Sequence, residues 1–322
     1  MRSDQIPNDW MSSIKLIPVT KPTDSHKYPG DSQISLPHHD HSTDTTTNYL
    51  IMSTSTTDST SFSQIYSPVK KLGEGGYGTV WLVMRRSDKF LYAAKIIPDS
   101  KCRRKTHCSE RDTYIPDEIM LSETLEHPNI LAVEGIFFEQ ESWVIVMEYA
   151  PGFIDLFEHI SKTGLFSVPD TRNLLAQLIH TVNYLLSKGV DHRDIKDENI
   201  LYNPTTKKVK LIDFGSASIL PTQPYTRFQG TDVYIPPEFY LYGEYSPLPA
   251  TTWSLGCVAY ILLNGDSPFI SKNEVKQFKS LKFLNSRLDQ HSKEFLHDVF
   301  ILDEDLRLLP AELLLHPWMI VE

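Results

Sequence analysis

The sequence predicts an α+β protein of two lobes, a small one rich in β-strand followed by a larger one built of helices. Two patterns carry that reading. Between Tyr66 and Tyr149, β-branched and aromatic runs are bounded by glycine and charged turns, the pattern of strands. Beyond Pro151 the apolar residues recur at three- and four-residue steps, the helical period. The 322 residues are enough for about two domains or lobes, and a 40% hydrophobic content supplies a sizeable core.

The elements follow in order. Residues 1–62 read as a disordered tail: from Ser42 to Ser63, 14 of 22 residues are Ser or Thr, which bury too little apolar surface to offset the entropy of ordering. An ordered domain is expected over 63–318, with its small lobe at 63–148 and its large lobe at 152–318. Strands are expected at 66-YSPVKKLGEG, 79-TVWLVMRR and 90-FLYAAKII. The basic, polar stretch from Asp99 to Thr113 reads as an unstructured loop. A helix follows from Pro116 through Leu125, then two strands at 130-ILAVEGIFF and 143-WVIVMEY. In the large lobe, 171-TRNLLAQLIHTVNYLLSKG is an amphipathic helix with a glycine stop. Short strands at 200-ILYN and 209-VKLID interrupt the helical pattern, which resumes from Trp253 to the end. Two lobes of different character imply a cleft between them.

Charge and cysteine usage narrow the function. With 31 Lys and Arg against 41 Asp and Glu, the formal charge of −10 argues against a general nucleic-acid or anionic-membrane binder and suits basic partners. Three cysteines do not make a disulfide framework, so a reducing compartment is expected. The segment MRSDQIPNDWM lacks the apolar core of a signal peptide. The longest apolar run, 257-CVAYILL-263, is far short of the roughly 20 residues of a membrane span. The expectation is a soluble intracellular protein.

The motifs supply the chemistry. The stretch 73-GEGGYGTV-80 has the spacing G-x-G-x-x-G-x-V, which a dinucleotide-binding turn shares; here, however, β-branched Thr79 and Val80 follow it and strands lie on both sides. A glycine hairpin of this kind lets backbone N–H groups approach phosphates closely. Lys95 in 92-YAAK-95 lies on the next strand within reach of such phosphates, and Glu118 opens the following helix as its partner. Then comes 191-DHRDIKDENI-200, with charges of both signs placed as neighbours rather than at helical spacing. In a catalytic loop, Asp194 receives a proton, Lys196 neutralises a phosphate and Asn199 holds a metal ion. The motif 213-DFG-215 follows strand 209-VKLI.

Five motifs in this order and spacing resemble the protein-kinase signature set, over about Tyr66 to Trp318. Within that superfamily the chain is most similar to serine/threonine kinases of the PIM branch, with the PAS-domain kinase as a near relative. The resemblance rests on HRDIKDENIL with KLIDFGSA, on 115-IPDEIMLSETL, on the linker 148-EYAPGFIDLF-157, on 228-FQGTDVYIPPE-238, and on 251-TTWSLG-256. The last lacks the aspartate that most kinases place two residues before that tryptophan, at the position of Thr251. The implied fold is the bilobal kinase fold, and the implied reaction is transfer of the γ-phosphate of ATP to Ser or Thr hydroxyls, with Mg2+.

The resemblance assigns roles residue by residue. Lys95, Glu118, Asp194 and Lys196 are the implied catalytic set, with Thr231 bracing Asp194, and Asn199 and Asp213 are the implied metal ligands. The loop Gly73, Glu74, Gly75, Gly76, Tyr77 and Gly78 is expected to cover the phosphates, with Leu72 at its base. Val80, Ala93 and Leu201 are expected to sandwich the adenine, behind Met147, with backbone contacts from Glu148 and Ala150 and a ribose contact from Asp155. The implied partners are proteins with basic residues near the target Ser or Thr, met by Asp155, Glu158 and Glu198, and no nucleic acid or membrane. The enzyme is expected to act as a cytoplasmic monomer, with the nucleus open to it. A weakly active or pseudokinase scaffold is the competing reading; loss of Lys95, Asp194 or Asp213 would favour it, and all three are present.

Three positions depart from the pattern. Asp191 and Ser122 are polar where kinases are usually apolar, and unpartnered each is expected to cost roughly 1–3 kcal/mol in packing. Ala150 replaces the PIM proline and restores a backbone donor. Cys102, His107 and Cys108 have the spacing of a weak metal motif, which reads instead as part of the basic loop.

Overall fold

The computed structural model describes residues 61–320 except 77, 103, 109–112, 277 and 279. All but the last two residues of the expected tail therefore lie outside the described residues. Those two are built into the small lobe. Helix α1 (Phe62–Ile65) begins there, and Phe62 is fully buried, its ring stacked on Tyr66 at 5.3 Å and packed on Phe137 at 5.6 Å. A lone aromatic at the end of a Ser/Thr run gives no local signal of order. Its burial depends on Phe137, 75 residues away in sequence.

The small lobe is a five-stranded antiparallel sheet. Its strands are β1 (Tyr66–Glu74), β2 (Thr79–Arg85), β3 (Leu91–Pro98), β6 (Val133–Glu139) and β7 (Ser142–Glu148), in the order β1-β2-β3-β7-β6. Both faces are covered. Val144 and Val146 of β7 join Phe62 and Tyr66 in one apolar cluster, while Ile145 joins Ile97, Ile115 and Ile136 in another. Successive strand residues point to opposite faces, so a central strand buried on both sides reads as a continuous apolar run. That accounts for 143-WVIVMEY. The strand expected from Ile130 begins only at Val133, because Ile130 closes a turn onto His127 O at 3.0 Å and bridges to Leu211 instead.

The segment read as an unstructured loop is ordered at both ends. A 3-10 turn spans Asp99–Lys101, and β4 (Lys105–Cys108) pairs with β5 (Thr113–Pro116) as a hairpin. Its charges have partners. Asp99 accepts from Lys105 at 2.7 Å and from Trp143 Nε1 at 2.8 Å, and Thr106 donates to Asp117 at 2.8 Å. The sequence shows only polar residues there; what orders them lies mostly on other elements. Cys102 donates weakly to Pro98 O at 3.7 Å, the Cys108 side chain lies outside the described set, and among the described residues no His, Cys, Asp and Glu cluster suits a metal ion.

Helix α2 (Asp117–Thr124) joins the two cores. Ile119 packs in the small-lobe cluster, whereas Leu121 and the following Leu125 are part of the large-lobe core with Phe214 and Leu211. The helix is thereby fixed across the cleft, with Glu118 facing it.

The large lobe opens with β8 (Ile154–Asp155), α3 (Leu156–Thr163) and α4 (Val168–Ser187). Helix α4 starts before the expected Thr171, because the Ser167 hydroxyl accepts from Asp170 N at 3.2 Å and Pro169 suits a first turn that needs no N–H. Its face of Leu174, Leu175, Leu178, Val182 and Leu185 is buried. Next come β9 (Val190–Asp191), β10 (Ile200–Asn203), β11 (Lys208–Leu211) and β12 (Ser218–Ile219). Helices α5 (Pro237–Tyr242), α6 (Pro247–Asn264), α7 (Lys272–Lys276), α8 (Gln290–Val299), α9 (Pro310–Leu313) and α10 (Pro317–Ile320) complete it. Helix α6 begins six residues before the expected Trp253, because its two prolines fall in the first turn, where their missing N–H groups are harmless. It is buried on nearly every side, which erases the amphipathic pattern. No helix among the described residues is long and apolar enough to cross a membrane.

Candidate active site

The cleft between the lobes encloses about 700 Å3. Its roof is the β1–β2 hairpin, closed by Gly75 N to Gly78 O at 2.9 Å. The glycines there differ in cause. A Cβ on Gly78 would stand 2.2 Å from Ile96 O, so that position is closed to any other residue. Gly73, Gly75 and Gly76 have no described atom within 4 Å of where a Cβ would stand, so packing does not require them; open backbone at this spacing is a cradle for a ligand. Tyr77 lies outside the described residues.

Behind the hairpin, Val80 pairs with Lys95 and Ala93 with Met147 across β2, β3 and β7. Leu72, Val80, Ala93, Met147, Ala150 and Leu201 form an apolar part of the cleft's lining. The Glu148 side chain is taken up in an ion pair with Lys210. Asp155 is the N-cap of α3, its Oδ1 accepting from Glu158 N at 2.7 Å, a structural task that the sequence reading had not included.

Deeper in, Lys95 bonds to Glu118 on α2 and, at 2.8 Å, to Asp213 Oδ1. Burial pulls the Lys95 ammonium down, but the two carboxylates outweigh it and hold the pKa above its ordinary value. Burial likewise pushes Glu118 up against the pull of Lys95. Burial also acts on Asp213, yet Lys95 and the Gly215 amide hold its carboxyl below the usual range. The result is a fixed cation next to two carboxylates. Ser122 donates to Glu118 O at 2.7 Å and so carries no unpaired group, and the cost of an unpartnered residue there does not arise.

Below the cation, the loop 192–199 forms a second network. Asn199 Nδ2 donates to Asp194 O at 2.8 Å and to Asp194 Oδ2 at 3.0 Å; Lys196 donates to Thr231 Oγ1 at 2.8 Å, which donates to Asp194 Oδ1 at 3.2 Å. His192 is buried beneath, its ring on Phe214 at 5.0 Å. It donates from Nε2 to Ile212 O at 3.1 Å and accepts from Asp194 N at Nδ1, an arrangement that requires neutral imidazole. Burial lowers its pKa accordingly. The structure therefore brings Lys95, Glu118, Asp194, Lys196, Asn199, Thr231 and Asp213 to one end of the cleft.

Three contacts were not visible in the sequence. Arg104, from the basic stretch, donates to the Ser216 and Ala217 carbonyls just after the DFG motif. Arg193 lies on the Tyr225 ring at 3.8 Å and donates to Arg227 O and the Tyr245 hydroxyl, at 3.0 and 3.1 Å. Asp191 is buried, with the Thr251 hydroxyl at 3.5 Å, so the carboxylate has a partner and the penalty attached to an unpartnered one does not apply. In each case one partner is a residue type that usually lies on the surface, and only the fold places the pair together.

A family model described as the protein kinase domain matches residues 66–319. The chain is 34% identical over 267 residues to the serine/threonine-protein kinase pim-2 of Danio rerio, covering 80% of this chain and 86% of that one. It is 33% identical over 261 residues to the serine/threonine-protein kinase prk-2 of Caenorhabditis elegans, covering 80% of this chain and 59% of that protein. It is 32% identical over 268 residues to the serine/threonine-protein kinase SAPK2 of Oryza sativa subsp. indica, covering 79% of this chain and 76% of that one.

Proposed function

The chain belongs to the protein kinase family and is a protein serine/threonine kinase, and from that premise we propose which residues do the work and what they act on. The observation that carries the assignment is the placement, at one end of the cleft, of the Lys95, Glu118 and Asp213 network beside that of Asp194, Lys196, Asn199 and Thr231. Phosphoryl transfer has a loose transition state, so the protein mainly positions reactants and offsets charge. The open glycine backbone covers the phosphates of ATP, and Lys95, held by Glu118, orients them. Asp194 accepts the proton of the substrate hydroxyl. Lys196 offsets negative charge on the phosphoryl group in flight, and Thr231, bonded to both Lys196 and Asp194, braces the pair.

The donor set beside these residues fits a hard cation. Asp213 offers a carboxylate, and Asn199, whose amide nitrogen faces Asp194, turns its amide oxygen the other way. Asp213 and Asn199 would hold Mg2+, which would supply positive charge to offset that of the phosphates.

Branch and substrate are further parts of the proposal. The motifs HRDIKDENIL and FQGTDVYIPPE and the identity to pim-2 support a place in the PIM branch, acting in intracellular signalling. Glu158 lines the cleft, and Glu198 stands at its edge beside Lys196 at 3.6 Å. With the net charge of −10, these carboxylates favour substrates whose arginines make bidentate contacts. A degenerate peptide array is expected to select Arg or Lys upstream of the target; an array indifferent to charge there removes the substrate reading.

The segment between the DFG motif and α5, the activation segment, bears on regulation. The Arg193 guanidinium is already engaged by Tyr225, Tyr245, Arg227 and Gln229. We therefore expect phosphatase-treated enzyme to keep its activity. Inactivation that an upstream kinase reverses would show that a phosphate on Ser218, Thr222, Tyr225 or Thr226 is required.

A further inference from the structure

We propose that Asp191 is a positioning residue for phosphoryl transfer: its ionised carboxylate, buried under the catalytic loop, holds Arg193 and Asp194 in place and ties them to the activation segment at Tyr225 and to α6 at Thr251. The inference rests on Asp194 being the group that meets the substrate hydroxyl.

Geometry comes first. Asp191 ends β9, pairs with Ser218 of β12, and is only 3% exposed. Two residues on, Arg193 sits at φ +65°, a left-handed conformation that a bulky side chain adopts only when its surroundings impose it. Asp194 is the next residue, so any relaxation of that strained turn displaces its carboxylate. Asp191 is the group placed to prevent this. The Thr251 hydroxyl lies 3.5 Å from its Oδ1, and the Arg193 guanidinium and amide and the Tyr225 hydroxyl stand near enough to favour its ionised form. Tyr225 is fixed in turn, bonding to Ser218 Oγ at 2.8 Å and exchanging backbone bonds with Tyr245 at 2.9 and 3.1 Å.

A side chain that merely filled this space would be apolar, since burying a carboxylate is costly. Thr251 lies across this contact and occupies the position where most kinases carry an aspartate, so exchanging the two places a carboxylate on its other side.

The titration of Asp191 supplies a readout. The groups that face it are Arg193 from the catalytic loop, Tyr225 from the activation segment, Tyr245 before α6, and Thr251 on α6. Burial pushes its carboxyl up to about 6, against the pull of Arg193, Tyr225 and Thr251. The folded pKa lies above the unfolded one, so ionisation lowers stability as pH rises through that window. An amide at this position should therefore melt no lower than the native carboxylate.

The experiment measures kcat, KM and melting temperature from mildly acidic to mildly alkaline pH. It compares the parent with Asp191→Asn, Tyr225→Phe, Asp191→Leu, and Asp191→Leu combined with Thr251→Asp. The parent kcat is expected to fall along an acid limb near pH 6. Asp191→Asn should lose roughly 10- to 100-fold in kcat at neutral pH, the scale of small displacements of a reacting group, with KM for ATP unchanged and the limb gone. Tyr225→Phe should move the limb to higher pH, because it removes a donor that favours the ionised form. The transposed double variant should regain turnover that Asp191→Leu loses.

Parent-rate turnover by Asp191→Asn, or a limb that stays in place in Asp191→Asn and Tyr225→Phe, overturns the proposal. If Asp191→Asn does not fold, the limb shift between the parent and Tyr225→Phe decides it. Asp194→Ala, measured alongside, separates the two readings. An active Asp194→Ala removes the assignment of the base, whereas an inactive one beside a normal Asp191→Asn removes Asp191 alone.

Discussion

Asp194→Ala is expected to lower kcat by roughly 10²–10⁴-fold, the range for a lost general base, while leaving ATP affinity and melting temperature near the parent values. The carboxylate is held by Asn199 at 3.0 Å, by Thr231 at 3.2 Å and by Lys196 at 3.4 Å. It stands apart from the apolar lining and the glycine hairpin, so its removal takes away an interaction made in the transition state rather than one made with bound nucleotide. Lys196 keeps partners in Thr231 and Glu198, which limits the structural cost. Steady-state turnover on a peptide, with a nucleotide titration on the same preparation, checks both halves. Turnover at the parent rate would mean another group takes the proton; a matching loss of nucleotide affinity would mean the loop had collapsed.

Arg307→Ala is expected to cost about 3–5 kcal/mol, the scale for removing one partner of a buried ion pair. That is a large part of a typical net stability of about 5–15 kcal/mol. Arg307 and Glu238 have side-chain exposures of 0% and 1% and meet through two parallel bonds of 2.9 Å. Arg307 also donates to Ile301 O at 2.8 Å and Pro249 O at 3.1 Å, and lies over the buried Trp253 ring at 5.0 Å. Truncation leaves the Glu238 carboxylate without its cation in a place water does not reach. Because Glu238 opens α5 directly after the activation segment, activity should fall together with stability. Chemical denaturation of the variant and the parent measures the loss. The double variant Glu238→Leu with Arg307→Leu should recover much of it, since the penalty comes from the orphaned charge more than from the missing bond. A midpoint unchanged in Arg307→Ala would show that the pair is dispensable.

The parts of this protein that were readable from its residues are those whose cause is local. Strands β1 to β3 and β7, and helix α4, announce themselves by period and by glycine or proline punctuation, and period depends only on neighbours. The glycine hairpin, the loop around Asp194 and the DFG segment are likewise short contiguous strings. Lys95, Glu118, Asp194, Lys196, Asn199 and Asp213 could therefore be named as one set before any distance between them was known. What the string left undecided was which polar residues would find partners. Asp191 looked like an unpaired charge until Thr251 and Tyr225 were folded against it, and Ser122 looked like a packing fault until it bonded within its own helix. Arg104 read as one charge in a basic loop, yet it clamps the chain after Phe214, and Phe62 read as tail, yet it is core. A buried charge is destabilising or useful according to what stands within about 3–4 Å of it, and that neighbourhood is assembled from residues up to a hundred or more positions apart. Sequence alone determined the fold class and the reaction; tertiary contact decided which charges hold the catalytic loop, because electrostatic partnership is set by distance in space.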